Sequence, residues 1–450
     1  MDKTLIRSAH IVNEGKIFKG DVYVEDKRIK AVVREGEDIP LNQDEYKIIQ
    51  AEGLYLLPGV IDDHVHFRDP GLTDKADIHS ETRAAAAGGV TSFMDMPNTI
   101  PNALTQKLLE EKYNLASGKS LINYSFYMGA SNDNLDEILK TDPEKVCGIK
   151  VFMGLSTGNM QVGDDAALEN IFSGAPTLVA VHCEDEKTIK ANSAKIADHF
   201  GDDAPTRVHP LIRTEEACYL SSSKAVKLAK KYNTRLHILH LSTAREMELF
   251  DNTLPLKDKR ITAEVCVHHL WFSDEDYDEK GNFMKWNPAI KTAEDREGLF
   301  RAVLNGKIDV VATDHAPHTL EEKLKPYFKA PSGGPAVQHA LVAMLEFYHQ
   351  ERISLEQIVE KMCHNPATVF GIRDRGFIRE GYFADLVLVD LQTEWTVDKK
   401  NIFYKCGWSP MEGVSFGSTV KKTFVNGHLV YDDGHFDESQ KGERLMFNRY

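Results

Sequence analysis

No two of the six cysteines form a CxxC pair; Cys147, Cys183, Cys218, Cys266, Cys363 and Cys406 are scattered along 450 residues. That pattern argues against a disulfide framework and leads us to expect reduced thiols and a cytoplasmic location. No stretch approaches the roughly 18 apolar residues of a membrane span. The first residues, Met1 to Arg7, lead into no apolar segment with a small-residue cleavage site, so no signal peptide is expected. Basic residues are in deficit: 54 Lys and Arg against 69 Asp and Glu give a net charge of −15. Non-specific nucleic-acid binding needs clustered cations and is not expected here. Internal repeats and low-complexity tracts are missing too. What is present, 42% hydrophobic and 27% charged residues, fits a globular chain that acts on a small molecule.

Both ends of the chain are rich in short strand-like runs. Thr4–Val12, Asp21–Glu25, Arg28–Val33 and Tyr46–Gln50 lie at the start; Asp385–Asp390, Val420–Val425 and His428–Tyr431 lie at the end, with Asn426-Gly427 as a hairpin signal. Between them, eight β-rich runs alternate with helical stretches: Leu57–Phe67, Val90–Met96, Ile122–Ala130, Cys147–Gly154, Thr177–Cys183, Arg235–Leu241, Ile261–Leu270 and Ile308–Asp314. Helices are expected at Asp77–Ala87, Leu104–Ala116, Glu215–Lys231 and Ala293–Leu304. Eight strands with crossovers predict an α/β fold, a (β/α)8 TIM-like barrel, with a small β-sandwich domain formed from both termini. The expected boundaries are 1–52 and 373–450 for the small domain and 53–372 for the barrel.

Chemistry in such a barrel gathers at the C-terminal strand ends, and polar residues fall there in this chain. The first run carries His64 and His66, which share a face because side chains on a strand alternate. The fourth carries Lys150, the fifth ends at His182, the sixth at His240 and the eighth at Asp314. Taken singly, His182 or His240 reads as a core histidine and Asp314 as a helix cap; together they fall at one end of one barrel. Four imidazoles and a carboxylate could hold two divalent metals about 3.5–4 Å apart. Burial and nearby cations lower a lysine's pKa. A neutral Lys150 could add carbon dioxide to become a carbamate, an anion suited to bridging two cations. His237 reads as a pocket or core residue. His268-His269 reads as adjacent strand residues, of which at most one faces inward. His79, His199, His209, His339, His349 and His428 read as solvated or packing residues.

The run from Pro58 to Gly71, containing Asp62-Asp63-His64-Val65-His66-Phe67-Arg68, resembles the first signature of the dihydroorotase family, within the cyclic amidohydrolases of the amidohydrolase superfamily. Arg83–Thr91 with Met96-Pro97-Asn98-Thr99 resembles its continuation, and Ala312–His318 the second signature; Trp408-Ser409-Pro410 and Val425-Asn426-Gly427 resemble the family's C-terminal region. The resemblance covers nearly the whole chain. It implies that His64 and His66 bind one metal, that His182 and His240 bind a second, that a carboxylated Lys150 bridges them, and that Asp314 binds metal and shuttles the proton. It also implies that Arg68, Asn98 and His318 hold a substrate carboxylate and that Asn287 contacts the substrate ring. Asp164 or Asp165 stands as an alternative ligand if Lys150 is unmodified.

The implied reaction is reversible closure of N-carbamoyl-L-aspartate to L-dihydroorotate, in de novo pyrimidine biosynthesis, with two divalent ions, zinc first, and a bridging hydroxide. A homodimer is the expected state of this class. Allantoinase and dihydropyrimidinase (hydantoinase) chemistry, or a non-catalytic scaffold, are the alternatives. The segment Pro317–Pro335 is expected to form a loop over the site.

Overall fold

The computed structural model describes residues 3–37, 41–153 and 160–449; Gly154, at the end of the fourth expected run, lies outside them. The barrel strands are Val60–Val65, Val90–Asp95, Asn123–Phe126 continued by Met128–Gly129, Ile149–Phe152, Val179–His182, Leu236–Ile238, Ile261–Cys266 and Val310–Ala312. Neighbours pair in parallel, and a bridge between Val65 and His315 joins the last strand to the first. These strands are buried on both faces, which is why they read as near-continuous apolar runs.

Local signals set the helices between them. Asp77 caps Ile78–Ala87 by accepting from the Ser80 amide at 2.9 Å, and Thr105 caps Gln106–Lys119 in the same way. Glu215–Tyr232 and Ala293–Leu304 fall where the sequence places them. The seventh strand does not extend to Leu270. It ends at Cys266, and Val267–Trp271 turns into a short helix, so His268 and His269 both become buried rather than pointing to opposite faces of a strand.

The termini build one nine-stranded sheet. Its N-terminal strands, Lys3–Asn13, Lys16–Glu25, Arg28–Arg34, Lys47–Gln50 and Tyr55–Pro58, join the C-terminal strands Leu386–Asp390, Thr419–Val425, His428–Asp432 and His435–Phe436. Asn426 and Gly427 form the expected hairpin turn, both with positive φ (51° and 77°). We propose the division into 1–52 plus 373–450 and 53–372, with two exchanges across it. Tyr55–Pro58 pairs with the small sheet, and Leu445 and Phe447 pack into a buried cluster with barrel residues such as Tyr127 and Leu178. Another apolar cluster spans both units, from Val12 and Tyr431 to Val65 and Val151.

A buried polar joint ties the units together. The carboxylate of Asp385 receives Asn123 Nδ2 (3.2 Å) from the third barrel strand and the Asn426 amide (2.8 Å) from the hairpin. Arg375 donates to Asp385 and, at 2.8 Å, to Asn426 Oδ1. Both charged side chains are 3% exposed, so each depends on the other for solvation. Arg375→Ala is expected to cost about 3–5 kcal/mol by stranding Asp385; urea unfolding followed by circular dichroism should show it, and an unshifted transition would contradict this role for the joint.

Candidate metal centre

The strand ends converge on a cavity of about 300 Å³, room for one small ring. His64, His66, Lys150, His182, His240 and Asp314 line its floor; Arg68, Asn98, Asn287, His318 and Trp286 line its sides, and Pro331, Ser332 and Gly333 complete the wall. All ten residues that the sequence singles out for the site therefore meet in one place. Asp164 and Asp165 do not. Asp164 caps the helix Asp165–Gly174, accepting from the Ala167 amide at 2.8 Å, and Asp165 is exposed and pairs with Lys224. The alternative that made either a ligand is thereby corrected.

The imidazoles are held in defined tautomers. A carboxylate only accepts, so His64 Nδ1 must donate to Glu264 (2.9 Å) and His182 Nε2 to Glu184 (3.0 Å). His66 Nδ1 donates to Asn98 Oδ1 at 2.8 Å. Each ring is left with a bare nitrogen. Those of His64 and His66 point at one oxygen, Asp314 Oδ1, at 3.2 and 3.1 Å. The bare Nδ1 of His182 faces His240 Nε2 at 2.8 Å, while His240 Nδ1 has no partner among the described residues. Lone pairs and a carboxylate oxygen aimed at common points are the arrangement a cation needs, and outer partners that fix ring orientation are typical of metal ligands.

Lys150 sits among them with 0% exposure, its Nζ without a hydrogen-bond partner among the described residues and 4.6 Å from the Phe152 ring. Burial pushes its ammonium down to about 8, so the amine is increasingly neutral as pH rises through that value. Burial likewise takes His66 down to about 4 and Arg68 down to about 10. Asp314 moves the other way when no cation is bound and the His64 and His66 rings carry a second proton: burial alone would raise it, but the charge on His64 and the hydrogen bond from His66 then hold its carboxyl below the usual range. Glu184, opposed by burial but paired with Arg213 and His182, falls to about 2. The donor set, imidazole nitrogens plus carboxylate, suits zinc and other borderline divalent ions.

Strain marks the same place. Arg68, His240 and Asp314 are non-glycine residues with φ of 64°, 40° and 43°, a region L-residues adopt only when the surroundings impose it. Arg68 donates through Nε to the Pro317 carbonyl (3.0 Å) and lies 3.1 Å from His318 Nε2.

Sequence reading missed Glu264 and Glu184. Glu264 stands in the apolar run Thr262–Cys266 and is fully buried; the reasoning applied to Lys150, a charge inside an apolar strand, would have found it. His237, open between pocket and core, lies in the core, 3.0 Å from Asp63 and 3.6 Å from Glu264. His268 stacks on Trp286 with ring centroids 4.4 Å apart, and His269 donates to the Pro288 carbonyl at 3.2 Å.

Known proteins resemble the chain as a whole. The profile of the amidohydrolase family matches residues 55–430. A dihydroorotase of Halobacterium salinarum is 34% identical over 424 residues, 92% of this chain and 96% of that one. An allantoinase of Solibacter usitatus is 31% identical over 454 residues, 99% and 97% of the two chains. The solved L-hydantoinase (dihydropyrimidinase) of Arthrobacter aurescens superposes with a TM-score of 0.91 at 27% identity, covering 100% of both chains. The chain belongs to the amidohydrolase family, as a metal-dependent cyclic amidohydrolase.

If the tautomer locks matter, Glu264→Gln should keep the fold but weaken divalent-metal affinity about 10–100-fold. Competition with a chromophoric chelator measures it; wild-type affinity in the variant would remove Glu264 from the account.

Proposed function

We propose that this chain is a dihydroorotase, closing N-carbamoyl-L-aspartate to L-dihydroorotate and reopening it, in de novo pyrimidine biosynthesis. The observation that carries this reading is Arg68, buried in the cavity wall with His318 beside it and Asn98 nearby. A guanidinium is a planar fork matched to a carboxylate. Nε and one further nitrogen of Arg68 are engaged, and the remaining N–H groups are left for a ligand. Dihydroorotate carries a ring carboxylate; allantoin and dihydrouracil do not. The hydantoinase-like architecture keeps ring hydrolysis without a carboxylate as the competing reading.

His64, His66, His182, His240, Asp314 and a carbamate on Lys150 would hold two divalent ions, zinc in the first instance, which when bound supply Lewis acidity and acidify water. Carbamate formation is balanced: the neutral Lys150 amine attacks carbon dioxide, an N–C bond forms and one proton leaves. Arg68, with Asn98 and His318, binds the exocyclic carboxylate and so fixes which ring carbonyl faces the floor. Asn287, whose Oδ1 is buried without a partner among the described residues, offers the ring N–H an acceptor. Asp314 takes the proton from the attacking water and delivers it to the departing ring nitrogen. The same proposal places the enzyme in the cytoplasm as a homodimer, in keeping with its free, mostly buried cysteines.

An assay with dihydroorotate, allantoin and dihydrouracil, with and without chelator, tests the reading. Chelator-sensitive turnover of dihydroorotate is expected; turnover confined to either neutral ring would overturn it. Asp314→Asn should retain metal while losing most turnover, and an active Asp314→Asn enzyme would contradict the proton-shuttle role. Lys150→Ala should lose metal, with short carboxylic acids partly restoring both metal and activity; full metal content without them would contradict the bridge.

A further inference from the structure

Asn287 reaches the cavity from the stretch Trp286-Asn287, which belongs to no helix or strand. Its neighbours are anchored: the Lys285 carbonyl accepts from the Gly333 amide at 2.8 Å, and the Pro288 carbonyl from His269 at 3.2 Å. Between them, among the described residues, a single hydrogen bond reaches Trp286 or Asn287. His209 Nε2 donates to the Trp286 carbonyl at 2.6 Å. Packing holds the Trp286 ring, which is fully buried and stacked on His268, but the plane of the Trp286–Asn287 peptide is set by that one bond.

Expected from the sequence to be solvated or packing, His209 is 2% exposed, with both ring nitrogens engaged. A carbonyl oxygen only accepts, so Nε2 carries the proton, and Nδ1 accepts from the Tyr327 hydroxyl at 2.8 Å. Burial, with Arg213 and Lys285 as nearby cations, holds the ring well below the usual imidazole range, so one neutral tautomer serves both partners. The turn His209–Ile212 keeps the ring in place. The Arg213 amide closes it on the His209 carbonyl at 2.9 Å, and the Arg213 guanidinium pairs with Glu184, the partner of His182. That second route to the metal centre does not run through the His209 ring. A buried carbonyl that loses its donor is costly. The peptide can find another partner only by turning, and turning carries the Asn287 side chain with it.

We propose that His209 is a positioning residue for ring binding: its Nε2–H fixes the peptide from which Asn287 meets the substrate ring. His209 itself does not line the cavity. It governs how the ring is held and leaves the metal ligands as they are. This inference rests on the dihydroorotase reading, in which Asn287 is the ring contact.

The test uses the metal-loaded full chain turning over dihydroorotate. Asparagine ends its amide near the place of Nδ1, whereas glutamine carries an N–H out to the place of Nε2. His209→Asn should therefore raise KM about tenfold, the size of one buried hydrogen bond, with kcat within about threefold and metal content unchanged. The inhibition constant of dihydrouracil, which presents the same ring without the carboxylate, should rise with it. His209→Gln should bring both constants back to within about threefold of wild type. His209→Met, which removes both bonds, stands in should His209→Asn not fold. Asn287→Ala completes a double-variant cycle: adding His209→Asn to it should change KM by less than about twofold, because the first change has already removed what His209 positions. A wild-type KM in the Asn and Met variants overturns the proposal. So does equal damage in the Asn and Gln variants, or KM factors that multiply in the double variant. Wild-type protein that does not turn over dihydroorotate defeats the functional reading itself, an outcome visible before any variant is made.

Discussion

An imidazole can offer a lone pair to a cavity only if its other nitrogen holds the proton, and the site depends on that constraint. Glu264, Asn98 and Glu184 are acceptors placed behind His64, His66 and His182, each taking the N–H that would otherwise blunt the ring's inner edge. The acceptors, themselves buried, need their own support. Arg213 donates to Glu184, and the His240 amide donates to Glu264 at 2.9 Å. A histidine cluster without such partners would be four neutral side chains of undefined orientation. With them it becomes a set of nitrogens converging on Asp314 and Lys150.

The barrel makes that convergence possible. Parallel strands end on one face, so residues far apart in sequence, such as His64 and Glu264, stand 2.9 Å apart. The small sheet and the barrel share apolar clusters and the Arg375–Asp385 joint, so the chain's two ends are bound into the unit that carries the chemistry. Charge is arranged by region. The chain carries −15 overall, yet Arg68 is buried in the cavity wall, so positive charge at the site is a local property.

Much of this was legible in the sequence, for identifiable reasons. The barrel strands are buried on both faces, and their apolar runs stand out from the polar helices between them. The hairpin at Asn426-Gly427 is written in two residues that tolerate positive φ. The inner residues were legible because a lysine or histidine at the end of an apolar run is conspicuous. The seventh run was overread because Val267 and Leu270 continue its apolar character after the backbone has turned helical. Helix Glu186–Phe200 gave no signal because, apart from Ile189, it buries little. For the supporting carboxylates, Glu264 is conspicuous as a charge in an apolar run, but its hydrogen bond to residue 64 is a property of barrel closure that no local pattern encodes.

The central claim is that bare imidazole nitrogens, Asp314 and a modified Lys150 assemble one two-cation site. Crystals of the zinc-reconstituted protein, grown with bicarbonate, test it most directly by anomalous diffraction at the zinc edge. The account predicts two peaks on the cavity floor, one against His64 and His66 and one against His182 and His240, with density for a carbamate extending from Lys150 between them. A single peak, or two peaks around an unmodified Lys150 side chain, would contradict it.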